Sequence, residues 1–555
     1  MTTQEPGQWW REGAFYQVYV PSFQDGDGDG FGDLRGVEQR LDYIAALGVT
    51  AIWLSPIYAS PLLDFGYDVS GYTEVGAVFG DLATFERVVR GAHERGLRVV
   101  LDYVPQHTSS EHPWFRDALS SRDSAHRDWY LWHDPKPDGG PPNNWASAFG
   151  GSSWTFHEPT GQYYYHAHLP EQPSLNWRNP DVKQAMFDVM RFWLDRGVDG
   201  FRVDAVWRLI KDALLRDNPM DDGGESFEIG GAAAHTTVRQ IQKYTADQPE
   251  LPGLLTAMHA VTEDYADRML MGELHLKLER VAALGSRGLD IAMNFSLIDT
   301  PWNGVDLAEL IQRYYAALPA GSHPNWVLSN HDRSRLASRI GRKRVPGALT
   351  LLLTLKGTPT LYYGDELGLP DSPVDSEHAR DCAELRAPGL GLGRDPQRMP
   401  MPWQEKPAHA GFGPDDVETW LPIPSWAGEF SVESQEFDPG SVLSLVKELL
   451  SLRKELAVLR EGSITVLSAH PDHLVYRRGD GEDAVLIAVN LSDRDQRIAF
   501  PGSTSTLWSS HATVDERDQP TDAVTLAPFE ARLLTGSQGN GFASAVQRAV
   551  HRRPE

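Results

Sequence analysis

The sequence predicts an α/β protein: a (β/α)8, or TIM, barrel with an inserted loop-rich domain after strand three and a C-terminal antiparallel β-sandwich domain. Three observations carry this. Short β-rich apolar runs alternate with amphipathic segments of helical period, about eight times over. Two long stretches rich in Pro, Gly and aromatic residues break the alternation. Beyond residue 461 the texture changes to short alternating runs with polar turns.

In chain order the strand candidates are residues 14–20, 49–54, 97–104, 200–203, 269–271, 291–295, 326–328 and 360–363. After the first, Val37, Leu41, Ile44 and Leu47 recur at helical spacing, and residues 85–93 and 182–196 behave alike. The longest apolar run, 349–355, contains two threonines and stops at Lys356-Gly357. It is too short to span a bilayer and reads as core. Residues 107–175 have no barrel-like period; a loop this long is a functional excursion or a small domain. The barrel therefore divides into 1–106 and 176–461, the second part with a further loop-rich insertion at about 369–440. Residues 462–536 form the β domain and 537–555 a flexible tail.

Composition narrows the function. The chain has 555 residues, 41% hydrophobic and 10% aromatic, enough for a large packed core. Its 51 basic and 77 acidic residues leave a formal charge of −26. That surplus argues against nucleic acid and anionic membrane surfaces, which attract Lys and Arg. The single cysteine, Cys382, excludes an intrachain disulfide and fits a reducing cytoplasm. The opening residues show no basic segment followed by an apolar run, so no secretory signal is expected. The expected assembly is a monomer or a homodimer.

Acidic residues fall where a barrel places its active site, at the C-terminal ends of strands. Strand three carries Asp102, with His107 soon after. Strand four ends in Gly200-Phe201-Arg202-Val203-Asp204-Ala205. Alternation puts Arg202 and Asp204 on one face, where the guanidinium would keep the carboxyl ionised. Strand five ends in Gly272-Glu273-Leu274-His275 and strand seven in Asn330-His331-Asp332. One such acid is usually a cap; several at successive strand ends are not explained as caps. Elsewhere, Asp25, Asp27, Asp29 and Asp33 alternate with glycines and Phe31, a pattern suited to Ca2+. It is not an EF-hand, because Gly36 stands where a bidentate Glu is required.

Residues 102–107, Gly200 through Asp204, Gly272-Glu273 and Asn330-His331-Asp332 resemble, in order and spacing, the four short motifs of the α-amylase family of glycoside hydrolases (family 13). The resemblance runs from Phe15 to about Trp403. Gln172-Pro173-Ser174-Leu175-Asn176 is similar to the Gln-Pro-Asp-Leu-Asn signature of the oligo-1,6-glucosidase and α-glucosidase subgroup, with Ser174 departing from it. Residues 394–403 resemble its Arg-Asp-x-x-Arg-Thr-Pro-Met-x-Trp segment, with Met399 in place of Thr. Gln106 departs where the family usually has Asn.

The resemblance implies an exo-acting retaining α-glucosidase that releases α-glucose from the non-reducing end of short α-glucosides, small neutral sugars, by double displacement. Asp204 would be the nucleophile, Glu273 the general acid and base, and Asp332 the transition-state stabiliser. Apolar neighbours of Glu273 would raise its pKa while Arg202 lowers that of Asp204. Arg202, His107 and His331 would belong to the substrate-binding set, with the histidines donating to sugar hydroxyls. Tyr67 would stack on the ring. Asp68 with Arg398, or with Arg394 as second candidate, would close the pocket. Relatives preferring α-1,6 bonds carry Val after the nucleophile, so Ala205 points to maltose-type α-1,4 substrates and to sucrose. The aspartate loop resembles the subgroup's metal loop. Asp25, Asp27, Asp29 and Asp33 side chains and the Phe31 carbonyl would hold a structural Ca2+, with Mg2+ as the alternative. Transglucosylation, sucrose isomerisation and trehalose formation use the same covalent intermediate and form the competing reading. A non-catalytic, transporter-associated relative would lack these acids and carry a membrane helix.

Overall fold

The computed structural model describes residues 8–220, 240–406, 408–511 and 521–536. The expected tail, 537–555, lies outside the described residues. Eight strands form one parallel sheet: β1 (Phe15–Val18), β2 (Ala51–Leu54), β3 (Arg98–Tyr103), β4 (Gly200–Val203), β5 (Met269–Gly272), β6 (Ile291–Ala292), β7 (Asn325–Val327) and β8 (Thr358–Tyr362). Their order is β6-β5-β4-β3-β2-β1-β8-β7. The two end strands are joined by a long bond from the Asn294 N–H to Asn325 Oδ1 at 3.4 Å, so the sheet curls into a nearly closed barrel. Each strand coincides with an apolar run expected from the sequence.

Parallel strands buried on both faces read as continuous apolar runs. Phe15, Trp53, Val100, Met271, Ile291 and Val327 fill the barrel interior. Their neighbours Tyr16, Ile52, Val99, Phe201 and Leu270 face the helical layer. The helices start where the sequence caps them. Asp81 accepts from Thr84 N ahead of helix Leu82–Glu94, and Asn179 from Asp181 N ahead of Pro180–Leu194, with Pro in the first turn. The run 349–355 forms the second half and the C-cap of helix Val345–Thr354, buried almost throughout between helix Val442–Glu455 and the C-terminal domain. Buried Arg453 donates to the carbonyls of Leu353 and Leu355, satisfying acceptors that a helix end leaves open.

The C-terminal domain comprises β9 (Ile464–His470), β10 (His473–Arg478), β11 (Val485–Asn490), β12 (Gln496–Ser509), β13 (Thr521–Leu526) and β14 (Ala531–Gly536). The expected sandwich is one continuous antiparallel sheet, β9-β10-β11-β14-β12-β13. The long strand β12 pairs with β13 through its first part and with β14 through its second. The sheet thereby folds over a small core that includes Val475, Ile498, Phe500 and Leu534.

The insertion after β3 holds a three-stranded antiparallel sheet, Trp132–His133, Gln162–Tyr165 and Trp154–His157. One further excursion was not legible in the sequence, the segment between β4 and helix Leu251–Glu263. Its described part rests on the insertion: Trp145 Nε1 donates to the Arg216 carbonyl at 2.8 Å and Asn144 Nδ2 to that of Asn218 at 2.9 Å. No helix among the described residues is long and apolar enough to cross a membrane.

One buried acid sets a stability test. Glu366 is fully buried, and its Oε1 accepts from Tyr16 and Tyr43 at 2.6 and 2.7 Å. Burial pushes its pKa from 4.5 up to about 7. The folded pKa exceeds the unfolded one, so stability falls as pH rises from about 4.5 to about 7. The loss totals about 3 kcal/mol. Glu366→Gln keeps the oxygen for both tyrosines and does not ionise. It is expected to melt above the unsubstituted protein at pH 8, with the gap closing toward pH 4.5. Equal melting at pH 8 would contradict this account.

Candidate active site

The parallel register sets the chemistry side by side at the C-terminal ends of the strands. Arg202 on β4 lies opposite Asp102 on β3 and Met271 on β5. The backbone ladder runs one residue past the strands: Asp204 N–H donates to the Tyr103 carbonyl at 2.8 Å and Glu273 N–H to that of Val203 at 3.1 Å. Both acids are therefore fixed by backbone as well as by side chain. Arg202 is fully buried and pairs with three carboxylates: Asp102 at 2.8 Å, Asp204 at 2.6 Å and Glu273 at 3.0 Å. Ala205, just after Asp204, adopts the left-handed region at φ 42°, uncommon for a residue with a Cβ. Its N–H donates to Glu273 Oε2 at 2.8 Å, tying the two acids together through the backbone.

Three carboxylates around one guanidinium carry more negative charge than it balances. Burial lifts Asp204 well above the usual carboxylate range, with Glu273 and Asp102 adding to the rise against Arg202. Burial also raises Asp102 to about 6. Glu273 resists burial: Arg202 and a 3.0 Å hydrogen bond from His275 hold it at about 2. The sequence suggested the opposite directions, a lowered Asp204 and a raised Glu273. Glu273 has more donors aimed at it than its apolar sequence neighbours imply, because His275, two residues on, shares its face.

A cavity opens over these groups. Asp204, Glu273, Asp332, Tyr67, His107 and His331 all line it. Tyr67 and His331 stack face to face, with ring centroids 5.3 Å apart at 3°. The Tyr67 hydroxyl donates to Asp102 at 2.9 Å. Gln17 Nε2 lies 2.9 Å from His331 Nδ1, which leaves His331 Nε2 to face Asp332 at 3.2 Å. Burial lowers His331 to about 3 and His107 to about 4, so both imidazoles are neutral at neutral pH.

Three expected substrate contacts are placed differently. Asp68 is fully buried and absent from the cavity wall; its oxygens accept from Ser60 Oγ and from the Leu63 and Asp64 N–H groups. It is the turn's internal cap. The acid at the wall is Asp64, paired with Arg394 at 2.6 Å. Arg394 also lies 3.1 Å from Asp332 and 2.7 Å from buried Asp381. Arg398 sits behind it, donating to the His331 carbonyl at 2.9 Å and pairing with Asp381 at 3.3 Å. The second candidate, Arg394, therefore reaches the cavity and Arg398 does not line it. Arg202 is likewise sealed beneath the acids, where it orders carboxylates and has no open face for a ligand. The sequence also missed His275, Trp207, Phe149 and His168, which line the cavity. His275 and Trp207 sit two and three residues from the key acids, a signal that was there to read. Phe149 and His168 come from the insertion and carry no local signal.

In the aspartate loop, Asp25, Asp27 and Asp29 bring carboxylate oxygens within 4.8 Å of one another. Asp33 stands outside that trio. Its Oδ1 caps helix Leu34–Gln39 by accepting from Gly36 N at 2.7 Å. Its Oδ2 is buried without a partner, and burial raises the group to about 6, with Asp27 and Asp25 contributing. An orphaned carboxylate oxygen among other carboxylates is what a bound cation satisfies, so the residues present fit one. Phe31 donates its N–H to Asp29 at 2.9 Å.

A (β/α)8 barrel that gathers two linked carboxylates and a third acid in a polar, aromatic-walled cavity has the groups that glycoside cleavage requires. The family model "Alpha amylase, catalytic domain" matches residues 17–462, and the chain belongs to that family. A probable alpha-glucosidase of Rhizobium meliloti is 38% identical, covering 95% of this chain and 97% of that one. An oligo-1,6-glucosidase of Halalkalibacterium halodurans is 35% identical, covering 95% and 99%. The crystal structure of an alpha-glucosyl transfer enzyme, XgtA, superposes with a TM-score of 0.89 at 36% identity, covering 96% of this chain and all of that one.

Proposed function

We propose that the protein is an exo-acting retaining α-glucosidase that takes one terminal glucose from short α-glucosides. The observation that carries this reading is the Arg394–Asp64 ion pair at the cavity wall beside Asp332, a fixed polar group suited to hold the end of a terminal sugar. Asp204 attacks the anomeric carbon as the glycosidic bond breaks, and Glu273 gives its proton to the departing oxygen. Water, deprotonated by Glu273, then releases glucose from the Asp204 ester. Asp332, held by Arg394, Arg398 and His331, binds ring hydroxyls as positive charge develops.

Without substrate, burial disfavours the charged form of Asp204 while Arg202 and His275 favour that of Glu273, and substrate acts the other way on both. Sugar hydroxyls donating to Asp204 favour its carboxylate, and the glycosidic oxygen accepts from protonated Glu273. The Glu273 pKa is therefore higher in the complex than in the free enzyme. The alkaline limb of kcat should lie at higher pH than that of kcat/KM. Coincident limbs would count against the reversal.

Ala205 at the cavity wall supports α-1,4 substrates and sucrose. Products from maltose, isomaltose, sucrose, trehalose and maltooligosaccharides test the whole reading. Free glucose, with maltose cleaved faster than isomaltose, is expected; much faster isomaltose cleavage overturns the linkage preference. New disaccharides would favour glucosyl transfer, the second reading, which the likeness to a glucosyl transfer enzyme supports.

Asp25, Asp27, Asp29 and Asp33 would hold a structural Ca2+, with Mg2+ as the alternative. Calcium at about 100 times its Kd should add about 3 kcal/mol of stability. A chelator should lower Tm, and Asp27→Ala should abolish the difference. We further place the chain in the cytoplasm, on its single cysteine, as a monomer or homodimer acting on neutral sugars.

A further inference from the structure

Gln106 and Ser174 are two positions at which the chain departs from the motifs it otherwise resembles, and in the fold they touch. Both are fully buried. The Gln106 amide is placed with Nε2 2.7 Å from Ser174 Oγ and Oε1 2.7 Å from His107 Nδ1, an assignment of O and N that the hydrogen-bond network has to decide. His107 Nε2 lies 2.7 Å from the Tyr67 carbonyl oxygen. Ser174 Oγ also accepts the Ala167 N–H at 3.1 Å.

A neutral imidazole has one N–H. The Tyr67 carbonyl can only accept, so that proton is on Nε2. Nδ1 then presents a lone pair and requires a donor, which the NH2 end of the Gln106 amide supplies. The amide oxygen therefore turns to Ser174, whose hydroxyl donates to it. This arrangement satisfies all four groups. The orientation as placed needs protons on both ring nitrogens, and burial disfavours an imidazolium here despite the charge of Asp64.

What the relay holds is a strained turn. Leu62 and Phe65 have positive φ values of 62° and 45°, beside Gly66 at 101°. Between and after them stand Asp64 and Tyr67, both at the cavity wall. Residues with a Cβ keep such conformations only where their surroundings enforce them. The insertion supplies two restraints from one short stretch. Gln172 Nε2 donates to Asp64 Oδ2 at 3.0 Å, and Ser174 acts through Gln106 and His107 on the Tyr67 carbonyl.

We propose that Ser174 and Gln106 are positioning residues that lock His107 in its Nε2–H tautomer, so that it clamps the Tyr67 carbonyl and fixes the strained turn carrying Asp64 and Tyr67. The inference rests on the proposed site for its kinetic consequence but not for its proton positions. His107 then acts on the wall of the pocket, its N–H committed to Tyr67, more than as a free donor to sugar.

Neutron diffraction from crystals of the unsubstituted protein locates the protons directly. Deuterium on His107 Nε2, with the Gln106 nitrogen toward Nδ1 and the Ser174 deuterium toward Gln106, is expected; deuterium on Nδ1 alone overturns the proposal. Kinetics give the second arm. Ser174→Ala should raise KM for 4-nitrophenyl α-glucoside about tenfold, the scale of one lost buried hydrogen bond, while kcat changes less than about threefold. An unchanged KM refutes the positioning role. If the neutron result holds and the parent protein does not turn over the glucoside, the functional reading fails and the relay stands.

Discussion

Asp204→Asn is expected to lower kcat on an aryl α-glucoside by about 10⁴-fold or more, with little change in KM. The amide occupies the same volume and still accepts from Arg202, so the cavity keeps its shape. What it lacks is a carboxylate able to form the glucosyl ester. Stability gives a second, independent sign. Arg202 serves three carboxyl groups, and a neutral amide replaces the one whose charged form burial disfavours. The variant should therefore melt at or above the temperature of the unsubstituted protein. Turnover within about 100-fold of the starting value would refute the assignment of the nucleophile.

Arg202→Met is the second large effect, and it acts on fold and chemistry together. The guanidinium is fully buried and lies over the Trp53 ring at 5.0 Å. Methionine fills much of its volume but leaves Asp102, Asp204 and Glu273 without a countercharge. Breaking a buried ion pair from one side typically costs about 3–5 kcal/mol. The sign with pH follows from Glu273, which is held at about 2, below its ordinary 4.5. A depressed acid contributes stability above its unfolded pKa, and that contribution is lost as pH falls through the folded value. The substitution removes it, so the deficit in melting temperature should be larger at pH 8 than at pH 3, inside the window from 4.5 to about 2 where protons replace the missing cation. Activity should fall by about 10³-fold or more, since Asp204 would no longer ionise in place. A deficit independent of pH would show that Arg202 acts by packing alone.

The same cluster shows how far sequence reasoning reached. Arg202 and Asp204 were legible as neighbours on one face because strand alternation is local. The third partner, Glu273, is brought in by the β4–β5 register, and the first, Asp102, by the β3–β4 register. No local pattern contains a register between strands about 70 or 100 residues apart. The pKa order was misread for the same cause. Sequence neighbours of Glu273 are apolar, but its spatial neighbours are His275, Arg202 and the Ala205 N–H.

The pocket's end shows the limit in another form. Asp64 and Asp68 lie four residues apart in one turn, and both look equally able to bind a sugar. Backbone conformation separates them: the turn closes around Asp68, which caps it, and presents Asp64 to Arg394. Arg394 and Arg398 are divided likewise, since the 3-10 turn Asp395–Arg398 puts one at the wall and the other behind it.

The sequence by itself determined the barrel and the C-terminal β domain, because apolar period and turn composition are local properties of the chain. It also determined which acids end the strands, since a strand's last residue follows from where its apolar run stops. Only the tertiary structure decided which of those groups face the cavity, which share a cation and which are sealed beneath it. Those outcomes depend on register, on strained turns at Leu62, Phe65 and Ala205, and on an insertion that folds back over the strand ends, and all of them join residues far apart in the chain.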